Sequence, residues 1–397
     1  MKSSPKLFIE INKLEFFFSV CNIVDNQKLE IIHSASVPIE GIIDNKISDY
    51  ELLYNLIKKN IYNIEQKINF VFKEIIIILD NLDLSLINFT GFKNLNGSQL
   101  VKENITFILN SLKSEIIKFE KKKTILHIFN SKFILDHKNT ENLPIGLFGD
   151  FYSHELSFFL IDSNDLNNLK NIFNKCNLRI NKILSKSFVE GISLINNNQN
   201  LDTFFKIEID KKNCRIIFFE NCSLKFEQNF KFGSDLIIQD ISKIVALDKE
   251  IVNAIISSVN FQTTNPDDIY IGKDFFKKSN FRKIKKQLFH DIATARIHEI
   301  LELIFYKNIN LVEYLKNNKK IFLTIYDKII YDSFKQTFIN FNKTKNLHDL
   351  EFIKKNEKKD LIENINKLVQ FGWKSEAVPI VNEKKSIITK LFDLLFK

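Results

Sequence analysis

The stretch Ile-Glu-Ile-Asn-Lys at residues 9–13 recurs in a related form, Ile-Glu-Ile-Asp-Lys, at residues 207–211. In each copy the residues on both sides alternate between apolar and polar types, which predicts a β-hairpin with its turn at Asn12-Lys13 or after Asp210. Five related positions in so biased a composition are weak evidence of a repeat. The order of the elements that follow each copy carries more weight.

In the first copy, the hairpin strands are predicted at residues 7–11 and 15–20, a third strand at 29–34, a helix at 48–66 and a buried strand in the isoleucine run 74–79. In the second copy, the corresponding elements are hairpin strands at 205–209 and 214–219, a third strand at 224–232, helices at 234–244 and 249–259, and a buried strand at 321–325. A continuous run of branched apolar residues is typical of a parallel strand covered on both faces. The chain is therefore predicted to contain two related α/β halves.

The composition is that of an ordinary globular protein. The 397 residues are 45% hydrophobic and 26% charged, which is enough for a core and for several subdomains. The net charge of +9 is spread along the chain without a basic and aromatic track, so nucleic-acid binding is the last of the alternatives. The four cysteines and seven histidines lack metal-ligand spacing, which predicts free thiols and no metal site. No apolar run reaches the roughly 20 residues of a membrane-spanning helix.

Further segments point to one family. In chain order they are Ile125–Phe129 with Phe133–Asp136, Asn142–Gly149, Asn174–Leu178 with Ile180 and Ile183, Phe232–Asp235, Leu247–Glu250, Arg296 with Glu299–Leu303, and Leu368–Gly372. Together with the duplicated halves, they resemble the bacterial cell-division protein FtsA, a family of the actin-like superfamily. The resemblance runs through the whole chain in collinear order.

The resemblance implies an actin-like α/β fold of two ribonuclease-H-like halves with an FtsA-type inserted subdomain and a C-terminal amphipathic helix. The implied parts are a first half (1–79, 164–200 and about 346–376), an insert (80–163), a second half (201–233 and 318–345), an outer subdomain (234–317), a linker (377–383) and the terminal helix (384–397). In the family, the insert serves self-association or contact with other division proteins.

The nucleotide-binding loops depart from the family pattern. The positions concerned are Glu10, Asn12 and Glu15 in the first loop, Glu208, Asp210 and Lys211 in the second, and Thr324 and Tyr326 in the third. The family has glycines in all three loops, because backbone amides must approach the phosphates closely. Their loss predicts weak or absent binding of ATP with Mg²⁺, no cofactor and no ATP hydrolysis. A diverged ATPase or kinase that acts on a small molecule remains the alternative.

The last fourteen residues have a helical apolar face. On a helix, an arc of about 200° holds Ile387, Ile388, Leu391, Phe392, Leu394, Leu395 and Phe396, and the cations are Lys384, Lys385, Lys390 and Lys397. Such a helix is suited to lie on an anionic membrane surface. The alternative is a helix that docks on the protein's own core or on a partner.

The resemblance implies an adaptor that tethers filaments of the tubulin-like protein FtsZ to the inner face of the cytoplasmic membrane at the division site. The implied partners are FtsZ, other division proteins, a second copy of the chain and the anionic membrane, with no nucleic acid. In the family the acidic FtsZ tail docks on the outer subdomain. Its expected contacts here are Arg296, which aligns with a family residue, and the nearby cations Arg282, Lys285 and Lys286.

Overall fold

The computed structural model describes residues 4–12, 14–23, 29–80, 82, 84–259, 261, 270–276, 281–315, 319–345, 349–354 and 357–377. The chain divides into two compact units. Unit A comprises Met1–Lys186 and Ile365–Lys397, and unit B comprises Ser187–Asn364. The predicted terminal helix at 384–397, most of its linker and Lys13 lie outside the described residues.

The elements of unit A begin with a run of strands. They are β1 (Lys6–Ile11), β2 (Glu15–Ile23), β3 (Leu29–Pro38), β4 (Ile42–Ile43), β5 (Lys46–Ile47), α1 (Tyr50–Ile68), β6 (Glu74–Leu79), β7 (Leu84–Asn94), α2 (Lys102–Phe119), β8 (Lys123–Leu135), β9 (Lys138–Thr140), β10 (Phe151–Asp162), α3 (Ser163–Lys175) and β11 (Arg179–Ser185). Helix α4 (Lys186–Asn197) then leads into unit B.

Unit B continues with β12 (Phe204–Ile209), β13 (Cys214–Glu220), β14 (Ser223–Phe230), α5 (Asp235–Val245), α6 (Lys249–Ser258), α7 (Lys286–Leu301), β15 (Lys320–Ile325), α8 (Lys328–Lys345) and β16 (Asp349–Phe352). Short 3₁₀ segments lie at Lys273–Phe276 and Ile309–Leu311, and a π-helical turn at Glu302–Tyr306 extends α7. Helix α9 (Lys358–Phe371) returns the chain to unit A.

The two units contain sheets of the same order. The sheet of unit A runs β3-β2-β1-β6-β11 and that of unit B runs β14-β13-β12-β15-β16. In each, the first three strands form an antiparallel meander. The first strand also pairs in parallel with β6 or β15, and this strand in turn pairs in parallel with β11 or β16. Parallel pairs need a crossover connection, and helices supply it in both units. The two predicted α/β halves are therefore present.

The core of unit A forms because the sequence periods match the elements. Strand β6 is a run of isoleucines that is buried along its length after Glu74, as expected for a strand covered on both faces. Helix α1 buries one stripe, which consists of Leu53, Ile57, Ile61 and Ile64. Asp49 caps this helix by accepting the amide of Leu52, and Asn69 ends it in a left-handed conformation.

The part of the chain that connects β6 to α3 forms a second sheet. Its strand order is β7-β10-β8-β9, and α2 packs against it. Gly91 of β7 lies directly beneath this helix, since a Cβ atom there would stand 2.4 Å from the side chain of Ile108. The edge of β8 is extended by the segment before the C-terminal linker, where Asn130 donates to the carbonyl of Ser375 at 2.7 Å. Ala377 in turn donates to Ile128 at 2.7 Å.

Unit B is built around a sheet whose central strand, β12, is buried at every position. Helix α4 approaches this sheet closely at Gly191, where a Cβ atom would stand 2.1 Å from the ring of Phe219. Helices α5, α6 and α7 pack together beyond the meander and share one apolar cluster with β12, β13 and β15. Among the described residues, no helix has the length and apolar character needed to cross a membrane.

Candidate functional site

The turn between β1 and β2 is closed by the side chain of Asn12. Its Oδ1 atom accepts the backbone amides of Leu14 and Glu15, each at 2.9 Å, and its own amide donates to the carbonyl of Glu15 at 3.2 Å. Asparagine commonly closes a turn in this way. Two amides of the first predicted nucleotide loop therefore already have an acceptor.

Beside this turn, one buried lysine holds two carboxylates, one buried and one largely buried. Lys186 Nζ lies 2.9 Å from Glu10 Oε1 and 3.0 Å from Asp80 Oδ2. Glu10 is the penultimate residue of β1, Asp80 follows β6 and Lys186 follows β11. These three strands are parallel neighbours, so their carboxyl ends lie at one edge of the sheet. The side chains are 7%, 10% and 11% exposed, and water screens their charges little.

Glu10 was identified from the sequence, whereas Asp80 and Lys186 were not. The available signal was position, because each follows a parallel strand that ends at the same edge as β1. Glu15, the remaining predicted residue of this loop, begins β2 and pairs there with Pro38 of β3.

The corresponding turn of unit B lies between β12 and β13. Asp210 accepts the amide of Lys211 through Oδ1 at 2.8 Å, and its own amide donates to Asn213 at 2.8 Å. The carbonyls of Asp210 and Lys211 accept the amides of Ser234 and Asp235, both at 2.9 Å, at the start of α5. Gly233 allows this approach, because a Cβ atom there would stand 2.0 Å from the Asp210 carbonyl oxygen.

Behind this turn, Lys206 joins two glutamates. Its Nζ atom donates to Glu208 Oε1 at 2.8 Å and contacts Glu190 of α4. Burial lowers the pKa of Lys206, but the two carboxylates raise it more, so its pKa lies above the ordinary value. Burial raises the pKa of Glu208, but Arg215 and Lys206 hold it well below its usual range. Lys206 and Glu208 are therefore both charged at neutral pH.

Arg215 and Tyr326 complete the surroundings of Glu208. Arg215 Nε donates to Glu208 Oε2 at 2.7 Å, and Tyr326 donates its hydroxyl to Glu208 Oε1 at 2.7 Å. Burial, followed by the charge of Glu208, raises the pKa of Tyr326 far above its usual value. Thr324 is buried in β15, directly opposite Glu208 in the parallel register. The structure thus places the two predicted residues of the third loop, Thr324 and Tyr326, beside Glu208 of the second. Asp210 and Lys211 lie in the turn after β12 and contact the start of α5 instead.

The four predicted partner-binding cations lie in two places. Arg282, Lys285 and Lys286 lie at or just before the start of α7. There Arg282 donates to the carbonyl of Ala246. Arg296 lies ten residues further along α7, a distance of about 15 Å at 1.5 Å per residue.

Arg296 lies in a shallow groove between α5 and α7. Its Nη1 atom pairs with Glu299 Oε2 at 2.7 Å, and Nε contacts Asp240. The groove is also lined by Asp291 and Ile244. The surroundings of Arg296 are therefore acidic. Its position in the sequence did not reveal this, because Asp240 approaches from another helix.

Comparison with known proteins points to one family of relatives. No protein-family model matches the chain. Over 313 residues the chain is 21% identical to the cell division protein FtsA of Buchnera aphidicola subsp. Baizongia pistaciae (strain Bp), an alignment that covers 79% of this chain and 72% of that protein. The chain is FtsA-like. The resemblance to FtsA that the sequence predicted is thereby confirmed.

A solved structure shares the fold. A chain of the PilM-PilN type IV pilus biogenesis complex superposes with a TM-score of 0.54 at 9% identity, and the match covers 92% of this chain and 98% of that one. MreB5 of Spiroplasma citri bound to AMPPNP gives a TM-score of 0.43 at 10% identity, over 92% and 96% of the two chains. With the two matching sheets, the superposition on the pilus protein confirms the predicted actin-like fold.

Proposed function

We propose that this protein is a non-enzymatic cell-division adaptor that tethers FtsZ filaments to the inner face of the cytoplasmic membrane. The observation that carries the proposal is the similarity to FtsA along 79% of the chain. The duplicated actin-like sheets support it, because they give the chain the body that the proposal requires. The membrane contact is assigned to residues 384–397, which lie outside the described residues.

The membrane contact is testable by liposome co-sedimentation. The full chain should sediment with vesicles that contain anionic lipid, and a chain ending at Val381 should stay in the supernatant. Replacing Leu391 by Glu should also abolish sedimentation, because it places a charge in the apolar face that the sequence predicts for residues 384–397. Lys118→Glu on α2 serves as a matched control, since its side chain is 64% exposed. Equal recovery of the full and shortened chains would remove the tether from the proposal.

The FtsZ contact is assigned to the start of α7 together with Arg296. An acidic peptide would meet Lys285 and Lys286 at a helix N-terminus, where the helix dipole also favours negative charge. At Arg296 the peptide would have to compete with Asp240 and Glu299, which already pair with the guanidinium. The contact at the start of the helix is therefore proposed to contribute more to affinity.

Binding of a fluorescent FtsZ C-terminal peptide separates these contributions. Lys285→Glu with Lys286→Glu should weaken binding about tenfold, since each reversal turns an attraction into a repulsion. Arg296→Glu should weaken binding less, and Lys118→Glu should leave it unchanged. An unchanged dissociation constant for the double variant would exclude this surface as the FtsZ site.

We also assign contact between copies, or with other division proteins, to the second sheet of unit A. Phe92 and Phe148 are 65% and 70% exposed there, and Phe92 stacks on Phe151 with ring centroids 6.0 Å apart. Exposed aromatic rings are typical of association surfaces. Phe92→Ser with Phe148→Ser should lower the sedimentation coefficient of any oligomer. The same distribution in wild type and variant would contradict the assignment.

A further inference from the structure

We propose that this chain carries a built-in substitute for a nucleotide and its Mg²⁺ ion. Side chains of the protein hold the turn amides and buried carboxylates that the actin-like fold offers to that ligand. Each unit then folds without nucleotide. The inference concerns groups within each unit and does not rest on the proposed role in division.

The first part of the substitute is an internal acceptor for the turn amides. Phosphate binding by such a turn needs amides that converge on an outside oxygen. Here Asn12 Oδ1 receives the amides of Leu14 and Glu15, each at 2.9 Å. In unit B the carboxylate of Asp210 receives the amide of Lys211 at 2.8 Å. The residue that closes each turn thus supplies the oxygen that a phosphate would supply.

The second part is an internal cation. A divalent ion at the end of β1 would be bound through carboxylate oxygens and water. Lys186 instead places one ammonium group within 3.0 Å of both Glu10 and Asp80. The group carries three donors, so it can bond to both carboxylates, and its single positive charge offsets one of their two negative charges without a metal ion. It also occupies the space between them.

In unit B, different residues supply the cations that pair with the buried carboxylates. Lys206 joins Glu208 to Glu190, and Arg215 takes the other oxygen of Glu208. Tyr326 adds a hydroxyl donor to the same carboxylate. Removal of one partner from such a buried pair leaves an uncompensated charge, which is strongly unfavourable.

Mg²⁺ with a nucleotide therefore does not fit these strand ends. In unit A, a phosphate would have to displace Asn12 Oδ1 from two amides, and a cation would have to displace Lys186 from two carboxylates. In unit B, the carbonyls of Asp210 and Lys211 are bonded to the first turn of α5. Each displacement breaks contacts that are complete within the unit.

The test is thermal unfolding of the full chain with Mg²⁺, Mg-ADP and Mg-ATP. The wild type should shift by less than about 1 °C at millimolar ligand, whereas a bound ligand at 100 times its dissociation constant would stabilise it by several degrees. Lys186→Met should lower the midpoint by roughly 5–15 °C, because it leaves two buried carboxylates facing each other. Mg²⁺ or Mn²⁺ should restore several degrees to this variant alone, and Mn²⁺ binding should appear in its electron paramagnetic resonance spectrum. Lys186→Arg is the matched control and should gain no divalent response.

Two results would overturn the inference. One is a saturable stabilisation of the wild type by Mg²⁺ or a nucleotide, and the other is a Lys186→Met variant that no divalent ion binds or rescues. If that variant does not fold, Glu10→Gln with Asp80→Asn provides the second route. Adding Lys186→Met to this pair should raise the unfolding midpoint, since Glu10 and Asp80 no longer offset the charge of the buried lysine. A further drop in the midpoint would show that Lys186 acts through other contacts.

Discussion

Lys206→Met tests how much the buried charge cluster of unit B contributes to stability. The substitution keeps most of the unbranched side chain and removes the ammonium that joins Glu190 to Glu208. The side chains of all three residues are at most 5% exposed, so water cannot replace the lost partner. Removing one member of a buried ion pair costs about 3–5 kcal/mol. Arg215 still holds Glu208, which places the expected loss near the lower end, about 3 kcal/mol.

The pH dependence gives this prediction a sign. The pKa of Glu208 in the folded protein lies well below its usual range, so its stabilising contribution is present above the unfolded pKa of about 4.3 and is lost as the pH falls below it. Without Lys206, the carboxylate is held less strongly and its folded pKa rises. The variant should therefore lose less additional stability than the wild type when the pH is lowered from 5 to 3.

Urea unfolding followed by circular dichroism measures both quantities. Lys118→Met is the matched control, because the Lys118–Glu115 pair is 64% and 47% exposed and such pairs contribute about 0–1 kcal/mol. A loss below about 1 kcal/mol for Lys206→Met at pH 7 would refute the reasoning. It would mean that the buried carboxylates find other partners when the ammonium is gone.

Two further substitutions test the close backbone approach at Gly233 in unit B and a buried histidine in the second sheet of unit A. Gly233→Ala should destabilise the protein by about 2 kcal/mol or more, because its Cβ atom would lie 2.0 Å from the Asp210 carbonyl oxygen, which accepts the amide of Ser234. Chemical denaturation measures the loss, and an unchanged midpoint would contradict the close approach. Burial lowers the pKa of His154 to about 4, so its neutral form is favoured in the folded state, and the wild type should lose up to about 3 kcal/mol as the pH falls from 6.5 to 4. His154→Gln should remove that part of the pH dependence, and a parallel decline in both proteins would argue against it.

The duplicated halves were predictable because short-range patterns determine them. Alternation marks the hairpins and the isoleucine run marks β6, and the observed β1 and β6 agree closely with the predicted strands. The predicted end of a strand was less accurate where hydrogen bonding to a neighbouring strand lengthens it. The third strand, predicted at 29–34, continues to Pro38 because β2 pairs with it along that length.

The second sheet of unit A shows what local patterns could not supply. The sequence pattern predicts two strands, at 124–129 and 132–135. The structure joins them into one strand, β8, and a register shift against β10 between Glu155 and Leu156 accommodates the join. The local pattern predicts no strand at the position of β7, since asparagine and glycine, here Asn88 and Gly91, are depleted in strands. Contact with α2 explains the glycine, because no larger residue fits beneath Ile108.

Of the candidate site, the sequence predicted the two glutamates but not their charged partners, for a related reason. Glu10 and Glu208 emerged from alignment of the two copies, since each is the penultimate residue of the first strand of its unit. Their partners become neighbours only through crossover connections. Lys186 arrives from the end of β11, more than a hundred residues after Asp80. No spacing rule within either copy links such residues.

The two units retain the same carboxylate but neutralise it differently. In unit A the cation comes from the residue after β11, whereas in unit B one cation comes from β12 itself and another from the neighbouring strand β13. Lys186 and Lys206 therefore do not occupy equivalent positions, and simple copying of one unit into the other would not produce both. What the units share is the need to balance a buried carboxylate at the penultimate position of the first strand. The requirement thus belongs to the carboxylate, and any nearby element that can deliver an ammonium or guanidinium group can meet it.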